Sequence, residues 1–206
     1  WRAGAHSDVQ HSRPAVVTYD AAARPPVEYI FYASNDGLLH AVDSSTGKEI
    51  WAFLIEEAYP RLAALAADAS GPSLDLADGT VSVWVSDGGD GVVSSSDKVY
   101  LFFGQRRGGS TYYALDISGR DAPVFKWKII GGKGVAGAGK LCTGTGACTL
   151  IANYDELGQS WSTPLGIFAD GDAVQVDGAP NQFNFSHPEV TLVGGRRVLY
   201  FSTKAA

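Results

Sequence analysis

A glycine-rich segment is the first part of the sequence whose residue spacing could do chemistry. Residues 132–137 fit the G-x-G-x-x-G pattern of dinucleotide-binding loops. Residues 134–140 fit most of the phosphate-loop pattern, but Leu141 stands where a Ser or Thr should hold magnesium. Both motifs also need a helix directly after the loop, so that its N-terminal N–H groups meet the phosphate. The residues that follow are rich in glycine and β-branched side chains, so the sequence predicts a surface loop and no nucleotide site.

Two acidic turns carry carboxylates of the kind that bind calcium. They are Asp87-Gly-Gly-Asp90 and Asp170-Gly-Asp172. Calcium takes six or more oxygen ligands, and a calcium loop of the EF-hand type needs a third acid and a closing glutamate, which neither run supplies. Both runs are accounted for as turn residues, so no metal ligand is assigned from them.

Candidate nucleophiles do not form a catalytic pattern. Ser160, in LGQSWSTP, lacks the second glycine of a nucleophile elbow, and no histidine is placed near it by the sequence. His11 and His40 are single imidazoles on predicted strands, for which a packed or hydrogen-bonded structural role is expected. The sequence therefore predicts no catalytic activity.

The two cysteines, Cys142 and Cys148, lie in the segment LCTGTGACTL. Two thiols cannot complete a zinc site without histidines, and the four histidines are distant in sequence. The spacing predicts a disulfide that pins a loop at about residues 131–149, which implies an exported protein. A pair of free thiols in a flexible loop is the alternative.

Composition narrows the class of protein further. The formal net charge of −6 argues against a nucleic-acid groove or a polybasic membrane patch. No apolar run reaches the length of a membrane span. The sequence starts at Trp1 and has no methionine, so we expect a piece of a longer chain whose signal peptide lies elsewhere.

Short strands separated by glycine turns dominate the predicted secondary structure. The Asn35-Asp36-Gly37 turn is a strong hairpin signal, and one short helix is predicted over residues 56–68, with Pro60 in its first turn. Residues rich in β-branched and aromatic side chains predict twelve strands, at 15–19, 27–33, 38–43, 49–54, 80–86, 98–104, 111–117, 124–130, 149–154, 166–169, 189–193 and 196–202.

An internal repeat gives the most specific prediction of fold. Residues 32–53 and 106–129 both run from a glycine turn through a strand ending Ala-x-Asp into a strand that carries tryptophan. The shift of 73 residues implies an insertion, at about residues 56–97. This pattern predicts all-β structure in which residues 1–206 form part of a single β-propeller domain. The predicted structural residues are Asp43 and Asp116, which cap turns, Gly47, which supplies a positive φ, and Trp51 and Trp127, which pack between blades.

Four sequence strings, taken in order, resemble a known family. They are HSRPAVV (11–17), ASNDGLLHAVDSSTGKEIWAF (33–53), GQRRGGSTYYALDIS (104–118) and ELGQSWSTP (156–164). Together they resemble the C-terminal β-propeller of the PilY family, the type IV pilus tip-associated biogenesis proteins and adhesins.

The resemblance to the PilY family carries functional expectations. It implies export through the periplasm to the pilus tip or outer cell surface, and roles in pilus biogenesis, twitching motility and adhesion. The implied partners are minor pilins and the pilus tip complex, with a surface or host ligand contacted through domains outside this chain. Family members often carry a calcium loop in this propeller. This sequence shows no full copy of that loop, so we expect no cofactor within this chain and place any calcium in another part of the propeller.

Two other interpretations of the sequence share the propeller fold. AVDSSTGKEIWAF (41–53) also resembles the tryptophan repeat of pyrroloquinoline-quinone enzymes. Those enzymes need an aspartate base, a calcium at the quinone and often a pair of adjacent cysteines, whereas Cys142 and Cys148 are not adjacent. A non-catalytic periplasmic scaffold propeller is the third interpretation. All three have the same fold, so the fold alone does not distinguish them.

Overall fold

Four antiparallel strands in chain order form the first sheet. The computed structural model describes residues 8–19, 26–61, 63, 75–86, 93–161, 163–167, 183–184 and 198–200. Strands β1 (Ala15–Tyr19), β2 (Val27–Ala33), β3 (Leu38–Asp43) and β4 (Glu49–Leu54) pair in the order β1-β2-β3-β4. All four have the bounds that the sequence predicts, because apolar alternation and the Asn-Asp-Gly turn fix them locally.

The second sheet repeats this plan and extends it. Its strands are β5 (Ser82–Ser86), β6 (Lys98–Gly104), β7 (Thr111–Asp116), β8 (Val124–Ile130), β9 (Lys140–Thr143) and β10 (Cys148–Leu150), all antiparallel and paired in chain order. Two sheets of chain-ordered antiparallel strands, packed face to face, have the arrangement of consecutive blades in a β-propeller. The prediction of an all-β, partial propeller is confirmed.

The two copies of the internal repeat pair their strands in the same register. The β3–β4 pairing shifts between Ala41 and Val42, and the β7–β8 pairing shifts between Ala114 and Leu115. These are the same position of the repeat, so both blades carry a β-bulge at the same place. One row of paired residues crosses each blade, Ala15, Phe31, Ala41 and Trp51 in the first and Ser82, Phe102, Ala114 and Trp127 in the second.

The hydrophobic core lies mainly between the two sheets. We call this the interblade core; it includes Phe31, Leu39 and Ala41 from the first sheet and Leu101, Phe103 and Leu115 from the second. The rings of Phe53 and Tyr113 meet across it at 6.0 Å. A second cluster, the outer core, covers the opposite face of the second sheet and comprises Trp84, Tyr100, Phe102, Tyr112, Ala114, Trp127, Ile129, Leu141, Tyr154 and Leu157.

A small third sheet follows along the chain. It contains β11 (Leu165–Ile167), β12 (Phe183–Asn184) and β13 (Val198–Tyr200), with β13 between the other two. Strand β13 is antiparallel to β11 and parallel to β12, and β11 lies beside β5. In the part of the chain that the structure describes, no helix is long and apolar enough to cross a membrane.

Two segments before β6 differ from the prediction at least in part. Of the helix predicted over residues 56–68, Glu56–Arg61 form a 3-10 helix, because Pro60 has no N–H to bond the carbonyl oxygen of Glu56 as an α-helix requires. Residues 62 and 64–68 lie outside the described residues. Within residues 56–97, predicted as an insertion, β5 is the first strand of the second blade. The predicted strand 189–193 lies outside the described residues.

The segment predicted as a loop over residues 131–149 contains two strands. The edge of β8 supplies main-chain partners to β9, which then pairs with β10. The predicted strand at 149–154 is replaced by Cys148–Leu150, followed by a turn and a 3-10 helix at Tyr154–Glu156. Gly132, Gly134, Gly137 and Gly139 all have positive φ, so they form turns, and no helix follows them to bind a phosphate.

Candidate functional site

All four strings that resemble the PilY family reach the same end of the two blades. We call it the polar end: the β2–β3 turn (34–37), the β6–β7 turn (105–110), the segments 8–14 and 75–81 that precede β1 and β5, and residues 155–161. Main-chain bonds tie these segments together, from Asn35 N–H to the Asp8 carbonyl at 3.0 Å and from Ser160 N–H to the Gly109 carbonyl at 3.0 Å. Chain segments far apart in sequence thus form one surface.

Asp78 is the centre of the polar end. Its side chain is fully buried, and the carboxylate lies 2.9 Å from His11 Nδ1 and accepts a bond from Arg106 Nη1 at 3.0 Å. A buried charge is stable only when paired and hydrogen-bonded. Asp78 therefore ties the segment before β1 and the β6–β7 turn to the segment before β5.

Ser160 fixes the β6–β7 turn from the other side. Its Oγ accepts the main-chain N–H groups of Gln105 at 2.8 Å and Arg106 at 3.0 Å, and it donates to the carbonyl oxygen of Gly109 at 3.1 Å. Ser160 is 1% exposed, and its hydroxyl proton is already used in the hydrogen bond to Gly109. Ser160 is thus a positioning residue of the turn, in agreement with the absence of a nucleophile elbow around it.

Arg106 has an unusual main-chain conformation. Its φ is +54°, in the left-handed region that residues other than glycine rarely adopt. The bond from its N–H to Ser160, its ion pair with Asp78 and the stacking of its guanidinium on the Trp161 ring, 4.7 Å from the ring centroid, hold it there. Such strain persists only where the surroundings determine it and is concentrated at functional sites.

The glycines of the GQRRGG string allow the segments to approach closely. A Cβ on Gly104 would come within 2.9 Å of the Ser160 side chain and the Tyr112 ring, and one on Gly108 would collide with the carbonyl oxygens of Asp75 and Leu76. Only a residue without a side chain fits at such contacts. The glycine-rich pattern at residues 104–109 therefore serves the packing of the polar end.

A second group of polar side chains at this end joins the two blades. Glu57, after β4, accepts hydrogen bonds from the Tyr113 hydroxyl and from Thr111 Oγ1, both on β7. Lys128, on β8, donates to Glu56 Oε2 at 2.6 Å. Burial, followed by the negative charge of Glu57, raises the pKa of Tyr113 well above its ordinary value. The first blade is thus held to the second by charges as well as by the interblade core.

Ser34, His40 and Glu49 form a relay that the sequence did not predict. His40 Nε2 lies 2.8 Å from Ser34 Oγ, and His40 Nδ1 lies 2.6 Å from Glu49 Oε2. Serine, histidine and an acid in this order are the parts of a nucleophilic triad. Here, however, Ser34 is 1% exposed and donates to Asp36 Oδ1, so the hydroxyl faces no solvent and stabilises the Asn-Asp-Gly turn.

The predicted capping aspartates lie at the opposite end of the blades. Asp43 Oδ1 accepts from Ser45 N, Ser45 Oγ and Thr46 N at 2.6–2.9 Å, and these bonds lower the pKa of Asp43. Gly47 has a φ of +68° and donates its N–H to the carbonyl oxygen of Asp43. Asp116 Oδ1 accepts from Ser118 N at 2.9 Å. These three residues belong to turns and are not part of the polar end.

The two tryptophans occupy equivalent positions but have different neighbours. Trp51 is partly buried against Phe31 at 5.6 Å between ring centroids, and its Nε1–H donates to the Arg120 carbonyl of the second blade at 3.0 Å. Trp127 is 1% exposed and lies in the outer core, 6.1 Å from the Phe102 ring. Trp51 thus contacts both blades, whereas Trp127 packs on the far face of the second.

The remaining residues named from the sequence are the two cysteines and the two acidic turns. A disulfide joins Cys142 to Cys148 and closes the β9–β10 hairpin. The candidate calcium turns at 87–90 and 170–172 lie outside the described residues. Within the described ranges, no group of three or more His, Cys, Asp or Glu side chains could hold a metal ion.

Sequence reasoning missed Asp78 and the structural role of Ser160. Both lie at the polar end, and the only signal for this end was that four separate strings resemble one family. Asp78 lies 67 residues from His11 and 28 from Arg106, so no local pattern connects these three residues.

The fold and the polar end together define a class of protein: a β-propeller whose loops are joined at one end by buried polar contacts. A 41-residue segment, 20% of this chain, is 54% identical to a "Type IV pilus biogenesis factor PilY1 homolog" of Xylella fastidiosa, and it spans 3% of that relative. The resemblance to the PilY family is confirmed over the matched segment.

A solved structure is also similar to this chain. The crystal structure of the Pseudomonas aeruginosa PilY1 C-terminal domain aligns with 71% of this chain and 23% of its own, at 20% identity and a TM-score of 0.43. No family model matches the chain.

Proposed function

We propose that this chain is a non-catalytic propeller platform of a type IV pilus tip protein that supports pilus biogenesis. The observation that carries the proposal is the 54% identity over 41 residues to a pilus biogenesis factor. Twitching motility, adhesion and a place at the pilus tip or outer cell surface belong to the same proposal, with minor pilins as the partners.

The platform role is supported by how the loops of the polar end are held. Loops carry recognition in many folds because a rigid scaffold positions them. Here, the buried Asp78 and the Ser160 hydroxyl tie loops from both blades, and the Glu57–Tyr113 bond fixes the first blade against the second. A surface built in this way presents the same shape to each partner, which lowers the entropic cost of binding.

The non-catalytic part of the proposal is supported by the two serines with the geometry closest to catalysis. Ser160 donates its proton to Gly109 and Ser34 donates to Asp36, and both residues are 1% exposed. A nucleophile needs a base that takes its proton and a path for the substrate. Neither serine has both in this arrangement.

The experiment uses a deletion strain of the source bacterium complemented with the full-length gene. We expect deletion to abolish surface pili and twitching, the wild-type gene to restore both, and immunogold labelling to place the protein at pilus tips or on the outer surface. Normal piliation in the deletion strain would refute the proposal. Label confined to the periplasm, with quinone absorbance in the purified protein, would favour the quinoprotein reading.

A matched pair of variants tests whether the polar end carries the activity. Asp78→Asn removes the charge that joins His11 and Arg106, whereas Asp43→Asn changes an exposed turn at the other end. We expect Asp78→Asn to fail in restoring twitching and Asp43→Asn to restore it, at equal protein amounts on immunoblots. Equal restoration by both variants would show that the polar end is not the contact surface.

A further inference from the structure

The guanidinium of Arg106 has more hydrogen-bond donors than its contacts with Asp78 and Trp161 use. Its Nη1 donates to Asp78 Oδ2, and one face of the group lies on the Trp161 ring. Among the described residues, its Nε and Nη2 groups make no hydrogen bond within the protein. The side chain is 25% exposed, so part of it is accessible to a ligand from solvent.

The contacts of Arg106 fix the direction of the free donors. Asp78 is fully buried and cannot move far, the Trp161 indole N–H is bonded to Gln159 Oε1 at 3.0 Å, and Ser160 fixes the main chain of Arg106. An arginine that only neutralised Asp78 would not require a left-handed main chain and an aromatic support. A side chain held in this way loses little rotamer entropy when it binds a ligand.

The free edge formed by Nε and Nη2 has the spacing that accepts both oxygens of a carboxylate. Because Asp78 already balances part of the positive charge and the chain carries a net charge of −6, a singly charged anion suits the site better than a dianion. We propose that Arg106 and Trp161 form a binding site for a carboxylate group of a partner polypeptide. This site requires no role in pili, so it stands or fails separately from the proposed function.

The test uses the 206-residue chain and three probes of known chemistry. The first is an acetylated and amidated peptide with one glutamate, the second is a neutral acetylated peptide with a free C-terminal carboxylate, and the third is inorganic phosphate. Titrations are followed by the NMR signals of the Arg106 Nε–H and the Trp161 indole N–H. We expect both signals to shift with at least one peptide. The responding peptide identifies the carboxylate as a side chain or a chain terminus.

Matched variants separate binding from folding. Arg106→Lys keeps a positive charge for Asp78 but loses the planar edge and the stacking, so we expect carboxylate affinity to fall roughly tenfold. Trp161→Leu is expected to weaken binding severalfold, and Arg120→Lys, at the other end of the blades, to leave it unchanged. Thermal melting of each variant reports whether the fold is retained.

The proposal is overturned by any of three results. A glutamine peptide that binds as well as the glutamate peptide would show that the carboxylate is not recognised. Equal affinity in a folded Arg106→Lys variant would exclude the planar edge, and tighter binding of phosphate than of either peptide would exclude the ligand class.

Discussion

The first blade (β1–β4) and the second (β5–β8) place equivalent residues at equivalent register positions but bury them differently. In each, a phenylalanine, an alanine and a tryptophan pair across three strands, and the bulge follows the alanine. The ring pairs are almost the same, at 5.6 Å and 38° for Phe31–Trp51 and 6.1 Å and 34° for Phe102–Trp127. The repeat therefore specifies the local geometry of a blade.

What the repeat does not specify is the surface against which each row packs. The row of the first blade faces the second blade, and Trp51 remains partly exposed beside Arg120. The row of the second blade is covered by Leu141, Tyr154 and Leu157, which have no equivalent in the repeat. Burial of a repeated residue is thus set by the segment that follows its blade.

Replacing each tryptophan with alanine should reveal the largest difference in stability between the two blades. Because Trp127 is 1% exposed, Trp127→Ala is expected to lower the free energy of unfolding by about 3–5 kcal/mol. Trp51→Ala, at a partly exposed position, should cost about 2 kcal/mol. Urea denaturation measures both, with Val16→Ala at an exposed position as the control. A larger loss for Trp51 than for Trp127 would contradict this ranking.

The last residues of β2 and β6 provide a second contrast. Ala33 and Gly104 are equivalent, since each lies two residues after the paired phenylalanine. A Cβ on Gly104 would meet Ser160 and Tyr112, so Gly104→Ala should destabilise the chain by about 1–3 kcal/mol. Ala33→Gly is expected to cost about 0.5–1 kcal/mol through the greater freedom of the unfolded chain.

Melting curves of both variants measure this difference. Gly119→Ala serves as the control, because a Cβ on Gly119 meets no atom within 4 Å. If Gly104→Ala were as stable as the wild type, the close approach of Ser160 to the end of β6 would have no energetic importance.

The capping aspartates provide the smallest contrast, and it depends on pH. Asp43 accepts three hydrogen bonds and has a lowered pKa, whereas the carboxylate of Asp116 accepts one from Ser118. A lowered pKa in the folded state stabilises the protein above the pKa of the unfolded state, which is about 4. This contribution disappears as the pH falls through the lower, folded-state value.

We therefore expect Asp43→Asn to lower the melting temperature at neutral pH, and the gap to the wild type to close below about pH 4. Asp116→Asn should produce a smaller gap, because fewer donors lose their charged acceptor. Melting temperatures measured from about pH 7 down to about pH 2 test both. A gap for Asp43→Asn that widened as the pH fell would contradict the assigned hydrogen bonds.

The sequence predicts those features of the fold that depend on local patterns. The strands β1–β4 follow from alternation and from the Asn35-Asp36-Gly37 turn, and the repeat predicts where the aspartates and tryptophans lie. Strand β9 was missed because its four residues follow a glycine-rich turn and form a strand only beside the existing edge of β8.

The candidate site could be predicted only in part. The strings that resemble one family indicated the right segments, but not that they meet at one end. Asp78 lies in a loop sequence with no recognisable motif, and its role depends on His11 and Arg106, which the packing of the two blades brings to it. Contacts of this kind depend on tertiary structure, which no local spacing encodes.

The disulfide hairpin has a consequence for the behaviour of the chain in solution. The six-stranded sheet ends at β10, a strand of only three exposed residues. An open sheet edge can recruit strands from other molecules, and long flat edges do so most readily. The bond between Cys142 and Cys148 holds this short strand against β9, so we expect reduction of the disulfide to loosen the last strand of the sheet and to raise the tendency of the chain to aggregate.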